Sequence, residues 1–105
     1  MLYELRIYKI APGRKQDIAD LFEFTNMDNF KKHGIPVIGP WYSTEGDTLY
    51  YILRFQDLAD KEKRWAAFYA EPSWQADCAE FQKKGDVVLQ YDSYLMEELP
   101  FFRKE

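Results

Sequence analysis

With one cysteine, Cys78, and one histidine, His33, the 105-residue chain has no partner for an intramolecular disulfide. It also has no thiolate or imidazole cluster of the kind that holds zinc or an iron–sulfur centre, so no metal is expected. A lone cysteine fits a reducing compartment, and a cytoplasmic location is expected on that ground. Long apolar runs are missing as well. The first ten residues carry Glu4, Arg6 and Lys9 among their apolar neighbours, and nothing approaches the roughly 18 apolar residues needed to cross a bilayer. Neither a signal peptide nor a membrane contact is therefore expected. Charge of one sign is absent too. The net charge is −4, with the basic residues scattered among acids, so no positive field gathers phosphates and nucleic acid is not an expected partner. The five glycines are too dispersed to form a phosphate-cradling loop, and no nucleophile–histidine–acid order is present.

What the chain has in excess is aromatic surface: eight Tyr, eight Phe and three Trp, or 18% of the residues. A domain of this length buries only about 60 to 65% of its unfolded surface, so some of these rings are expected to line a pocket or a subunit interface. Residues 1–105 leave room for one domain.

The pattern of elements is regular. Leu2 to Tyr8 alternate with period two, with Tyr3, Leu5 and Ile7 on one side and Glu4, Arg6 and Tyr8 on the other. Pro12-Gly13 ends that strand. Ile18, Leu21, Phe22 and Thr25 at helical spacing predict a helix over 14–33 capped by Gly34, less regular beyond Phe24. Val37–Thr44 and Thr48–Phe55 read as a hairpin about Glu45-Gly46-Asp47, and Gly39-Pro40 marks its first strand as an edge or a bulge. Asp57 caps a helix running to about Ala70, with Leu58, Trp65, Phe68 and Tyr69 as its stripe. Pro72 starts a second short helix that buries Trp74, Cys78 and Phe81 and ends at Gly85. Val88–Glu97 alternates as a last strand, and the apolar tail Leu99-Pro100-Phe101-Phe102 has no further element to receive it.

The order strand, helix, strand, strand, helix pair, strand predicts an α+β domain of the ferredoxin-like βαββαβ type. In it a four-stranded antiparallel sheet carries all helices on one face, and the second crossover is made of two short helices. The bare face is expected to hold Glu4, Arg6 and Tyr8, too apolar for water and too charged for a dry core, so that a second copy covers it.

Four stretches carry a resemblance: Tyr3-Glu4-Leu5-Arg6-Ile7-Tyr8 with Pro12-Gly13; His33-Gly34 leading to Gly39-Pro40-Trp41; Arg64-Trp65 followed by Glu71-Pro72-Ser73-Trp74; and Leu99-Pro100-Phe101. Together they span nearly the whole chain. The sequence resembles the NIPSNAP family, whose members adopt the dimeric α/β-barrel version of this fold. The resemblance implies a homodimer without a cofactor. Bacterial members of the family look like small-molecule binders, and the family has no agreed enzymatic activity. Family members often carry a tryptophan and a histidine in the third strand, where this chain has Tyr50, Tyr51 and Leu53. Related barrels include cofactor-free monooxygenases.

Six residues are the candidates for a site. Arg6, paired with Glu4 one pleat away, is suited to hold an anionic or carbonyl oxygen. Tyr8 is the second polar anchor, and Trp41 and Tyr51 are expected as walls. The ligand class is small and partly aromatic or anionic. His33, the one side chain with an ordinary pKa near neutrality, is the candidate catalytic base for a monooxygenase- or isomerase-like alternative. Its competing assignment is structural, since Lys31, Lys32 and His33 together complement the negative end of a helix. A third reading is a non-catalytic interaction module using the aromatic tail.

Overall fold

The computed structural model describes residues 1–102. Strand β1 (Leu2–Ile10) leads through a turn into α1 (Lys15–Leu21), which widens into a π-helical segment over Phe22–Asn26 and resumes as α2 (Met27–Lys32). Strands β2 (Val37–Tyr42) and β3 (Thr48–Phe55) form the hairpin. Helices α3 (Leu58–Tyr69) and α4 (Pro72–Phe81) make the second crossover, and β4 (Val88–Met96) closes the sheet. The strand order is β2-β3-β1-β4, with every neighbouring pair antiparallel. This is the ferredoxin-like arrangement that the element order predicts.

Local chemistry explains the element ends. Asp57 caps α3 by accepting from the Asp60 backbone N–H at 2.8 Å, and Pro72 occupies the first turn of α4, where its missing N–H costs nothing. Gly34 ends α2 at φ +70°, a conformation open to glycine, and the Arg64 guanidinium lies so close that a β-carbon there would collide with its Nη1. That guanidinium in turn donates to the His33 carbonyl at 2.8 Å, satisfying one of the free carbonyls at the helix end.

Register shows which side of each strand is covered. Glu4, Arg6 and Tyr8 stand opposite Leu53, Tyr51 and Leu49 on β3, and opposite Leu95, Ser93 and Tyr91 on β4. Leu49, Tyr51 and Leu53 are buried beneath the helices together with Ile18, Phe22, Phe30, Trp65 and Phe68. The Glu-Arg-Tyr side of β1 therefore faces the helices, with Glu4 fully buried and Arg6 6% exposed. The expectation that Glu4, Arg6 and Tyr8 occupy the bare face is corrected: that face carries Tyr3, Leu5 and Ile7, with Tyr50 and Ile52 from β3 and Tyr94 and Met96 from β4. The physical reason is that the buried charges find partners from α3 and β4, which no count along β1 reveals.

Two further corrections concern the helices. Leu58 and Tyr69 are exposed, so Trp65 and Phe68 alone form the buried stripe of α3. Trp74, Cys78 and Phe81 of α4 pack against the core but stay only half-buried. In the first helical stretch the buried positions are Ile18, Leu21, Phe22, Thr25, Asn26, Asn29 and Phe30. Three of these are polar, which is why the apolar pattern fades beyond Phe24.

A candidate ligand site between the sheet and the third helix

Glu4 is the centre of a buried polar cluster. Its Oε2 accepts from Arg6 Nε at 2.8 Å and from Ser93 Oγ at 2.6 Å, and its Oε1 accepts from Trp65 Nε1 at 2.7 Å. Burial pushes the carboxyl pKa up, but the hydrogen bonds from Ser93, Arg6 and Trp65 outweigh it and hold Glu4 below the usual carboxylate value. Glu4 is thus an ionised carboxylate, with both oxygens hydrogen-bonded, that fixes one edge of Arg6.

Two rings enclose the Arg6 guanidinium. Its carbon lies 3.8 Å from the centroid of Trp65 and 4.8 Å from that of Tyr91. Nη1 donates to the Tyr69 hydroxyl at 3.0 Å. Burial works against the charge of Arg6, but the oxygens of Tyr51, Tyr8 and Tyr69 and the bond to Glu4 raise its pKa above the ordinary value. Beside it, the Tyr8 and Tyr51 hydroxyls are 2.5 Å apart. Burial, more than any neighbour, raises the Tyr51 pKa well above the ordinary phenol value, and it raises that of Tyr69 too. Both are therefore neutral donors at physiological pH.

The inventory of protons gives this arrangement a chemical direction. The Tyr8–Tyr51 contact uses one of two hydroxyl protons, and Tyr69 accepts from Arg6 with its own proton directed at no acceptor among the described residues. One guanidinium and three phenols, matched by a single carboxylate that already accepts three hydrogen bonds, leave a surplus of donors. Such a surplus suits an anionic or carbonyl oxygen. Tyr91 and Tyr69, 53% and 41% exposed, are the outer members of the group and border solvent.

Of the residues picked out in the sequence, the structure gathers Glu4, Arg6, Tyr8 and Tyr51. Trp41 lies elsewhere. The bulge at Gly39-Pro40 shifts the register between Ile38 and Trp41, so both residues point from the open face of the sheet and both are half exposed. His33 lies at the end of α2, where Nε2 meets Glu71 Oε1 at 3.1 Å alongside Lys32. None of its hydrogen-bond or ion-pair partners belongs to the Arg6 cluster. Trp65, which the sequence places in the core stripe of α3, is a cluster member, and Tyr69, Tyr91 and Ser93 are members that sequence reasoning missed. For the last two a signal existed, since antiparallel pairing of β1 with β4 sets alternate β4 residues beside Arg6 and Tyr8.

Among the described residues no three His, Cys, Asp or Glu side chains gather in a way that could hold a metal ion. Among the same described residues no helix is long and apolar enough to cross a membrane.

The fold defines a ferredoxin-like α+β protein with a polar cluster between sheet and helices. The NIPSNAP family model matches residues 3–103, and the chain belongs to the NIPSNAP family. A NIPSNAP family protein of unknown function from Agrobacterium tumefaciens superposes with a TM-score of 0.83 at 23% identity, over 96% of this chain and 90% of that one. An uncharacterized NIPSNAP domain protein from Burkholderia xenovorans gives 0.83 at 17% identity, over 99% and 100%. A putative antibiotic biosynthesis monooxygenase from Nitrosomonas europaea gives 0.65 at 8% identity, over 94% and 99%, a likeness of fold alone. No curated protein matches the chain.

Proposed function

We propose that the protein binds a small molecule presenting an anionic or carbonyl oxygen to Arg6, Tyr8 and Tyr51, and that it does so as a homodimer. The observation that carries the binding reading is the surplus of fixed donors around Arg6, beside a Glu4 whose carboxylate already accepts three hydrogen bonds. The walls are aromatic: Trp65 and Tyr69 stack with centroids 5.1 Å apart, and Tyr91 stands edge-on to Tyr8 at 5.9 Å. A flat or partly aromatic ligand suits such walls.

The dimer reading rests on the open face of the sheet. Ile38, Trp41, Tyr94, Met96, Leu99, Phe101 and Phe102 are all exposed there or along its rim, and a groove of about 620 Å³ runs between Ile38, Ile52, Met96 and the tail. A contiguous apolar surface of this kind marks an interface, and the self-complementary two-fold pairing of a second copy covers it with the same residues. Trp41 belongs to this interface in our reading and not to the ligand walls.

A catalytic reading has less support. Tyr51 is held neutral and serves as a donor, while His33 is engaged by Glu71 away from the phenols. The test is native mass spectrometry of protein purified from its source. A dimer carrying a small retained mass is expected, and that mass is expected to be lost from the Tyr8→Phe, Tyr51→Phe double variant while the dimer persists. A ligand-free monomer at micromolar concentration overturns both parts, and a mass retained equally by the double variant overturns the site.

A further inference from the structure

Arg6 keeps donors that the fold does not use. Nε is committed to Glu4 Oε2 at 2.8 Å and Nη1 to the Tyr69 hydroxyl at 3.0 Å, whereas Nη2, with both of its N–H groups, donates to nothing among the described residues. It is not sealed from water either. The rest of the side chain is buried, so the protein and not the solvent holds the charge in place. The opening lies on the β4 side. Tyr91 and Leu95 stand beside Tyr8 and Glu4 on the helical side of the sheet and are half exposed, so the helical layer leaves this margin open. Tyr69, held by Nη1, is the α3 residue at the same margin, and its hydroxyl proton meets no acceptor among the described residues.

Charge selects among the oxygen ligands that such donors suit. Glu4 and Arg6 carry opposite single charges and the phenols around them are neutral, so the cluster as a whole is neutral. One negative charge on a ligand is met by the guanidinium. A second charge has no cation to meet it, and desolvating it beside Glu4 is costly. A neutral carbonyl accepts from Nη2 but lacks the added strength of a bond between two charged groups. The donor set therefore favours a monoanion with two acceptor oxygens, one for Nη2 and one for the Tyr69 hydroxyl.

Shape restricts the rest of the molecule. The rings of Trp65 and Tyr91 lie over the guanidinium, 3.8 and 4.8 Å from its carbon, which leaves its N–H edge as the approach. A carboxylate bound to that edge lies close to the guanidinium plane. A body conjugated with the carboxylate is coplanar with it and presents a flat face to the outer rings, which a puckered saturated body does not. Resting on the binding reading above, we infer that the ligand is a planar, conjugated monocarboxylate, such as an aryl carboxylate, that enters between Tyr69 and Tyr91 with its carboxylate on Arg6 Nη2 and the Tyr69 hydroxyl. Tyr69 is then the residue that separates a carboxylate from a neutral carbonyl, because only the carboxylate has a second oxygen to accept its proton.

The test is a titration of isotope-labelled protein with sodium benzoate, followed by the NMR signals of the Arg6 Nε–H and the Trp65 indole N–H. Benzamide, cyclohexanecarboxylate and phenyl phosphate, the last a dianion well above its second pKa of about 6, are the controls. Saturable shifts with benzoate are expected, with a Kd in the millimolar range that a ligand of so few atoms allows. Benzamide and phenyl phosphate are expected to bind about tenfold more weakly, and cyclohexanecarboxylate several-fold more weakly. Tyr69→Phe, which keeps the ring, is expected to weaken benzoate about tenfold and to leave benzamide nearly unchanged. Equal affinity for any of the three controls, or unchanged benzoate affinity in Tyr69→Phe, overturns the carboxylate assignment while leaving Arg6 as a binding site. No saturable shift with benzoate overturns the assignment as well. The retained mass measured on protein from its source tests the binding reading separately, so the two can fail independently.

Discussion

Arg6 and Trp65 share one carboxylate. The guanidinium carbon lies 3.8 Å from the indole centroid, and Nε of the first and Nε1 of the second donate to different oxygens of Glu4, at 2.8 and 2.7 Å. Two residues 59 positions apart in sequence are thereby locked to the same buried charge. This couples β1, one of the two inner strands of the sheet, to α3 through hydrogen bonds as well as through packing.

Breaking that arrangement from one side is expected to be costly. Arg6→Met leaves a buried carboxylate without its counter-charge, a change that typically destabilises by about 3 to 5 kcal/mol. Trp65→Phe keeps part of the stacking surface and removes one donor from Glu4, and the lost hydrogen bond alone is expected to cost about 1 to 3 kcal/mol. Urea unfolding measures both. The double variant Glu4→Leu, Arg6→Met is expected to regain part of what Arg6→Met loses, because no unpaired charge remains. If the double variant is less stable than Arg6→Met, the two residues do not act as a pair.

Acid should weaken the fold through the same residue. The folded-state pKa of Glu4 lies below the ordinary value of 4.5, so its contribution is fully present above that value and is lost as pH falls through the lower folded value. Asp60 and Glu71 are also lowered, Asp60 first by its bond from the Gln56 backbone and Glu71 first by Lys32, so the total acid response has several contributors. The Glu4 share is isolated by comparing stability against pH in the native protein and in Glu4→Gln. The variant is expected to be less stable at pH 7 and to show a flatter decline below about pH 4.5. Parallel curves overturn the assignment.

Much of the architecture was legible in the sequence, and the reasons are local. Alternation in Leu2–Tyr8, the turn at Glu45-Gly46-Asp47, the Asp57 cap and Pro72 each act within a few residues, so element order and fold class follow from them. The sidedness of β1 was not legible. Tyr3, Leu5 and Ile7 look like a core face and Glu4, Arg6 and Tyr8 like an outer one; the opposite holds because Trp65 and Ser93, 61 and 89 residues from Glu4, supply the donors that make its burial tolerable. A strand of period two leaves only two choices, and the wrong one displaces every side chain to the other face. Trp41 illustrates a different limit. Ile38 and Trp41 are three residues apart and would oppose each other on a regular strand, but the bulge at Gly39-Pro40 sets them on the same side. The sequence announces a bulge there without fixing where the residues after it point.

Alkali provides a test of the phenol group. Burial raises the Tyr51 pKa well above the ordinary 10.0, so the folded protein resists its ionisation while the unfolded chain does not. The stability tied to this group is fully present below pH 10 and declines as pH rises beyond that value. A spectrophotometric titration of phenolate absorbance is expected to show Tyr51 withheld until the protein unfolds, and Tyr51→Phe to remove that late component without altering the early ones. Equal amplitudes for all tyrosines in the native protein contradict the burial argument.

The open face of the sheet offers the sharpest separation between folding and assembly. Ile38 is 52% exposed and opposes Ile52 across the hairpin, so replacing it by glutamate removes no core contact, and the isolated subunit should keep its unfolding midpoint at concentrations too low for association. In the proposed dimer the same position is buried against a second copy, and two-fold symmetry places the new charge in the interface twice, each time without a partner. Desolvating even one unpaired carboxylate costs several kcal/mol, enough to weaken association by more than a hundredfold. Sedimentation equilibrium is expected to show a dimer for the native protein and a monomer for Ile38→Glu at the same micromolar concentration. Should the variant remain a dimer, association occurs through another surface, with the edge strand β4 the next to examine, since its Leu89, Tyr91 and Leu95 are also exposed.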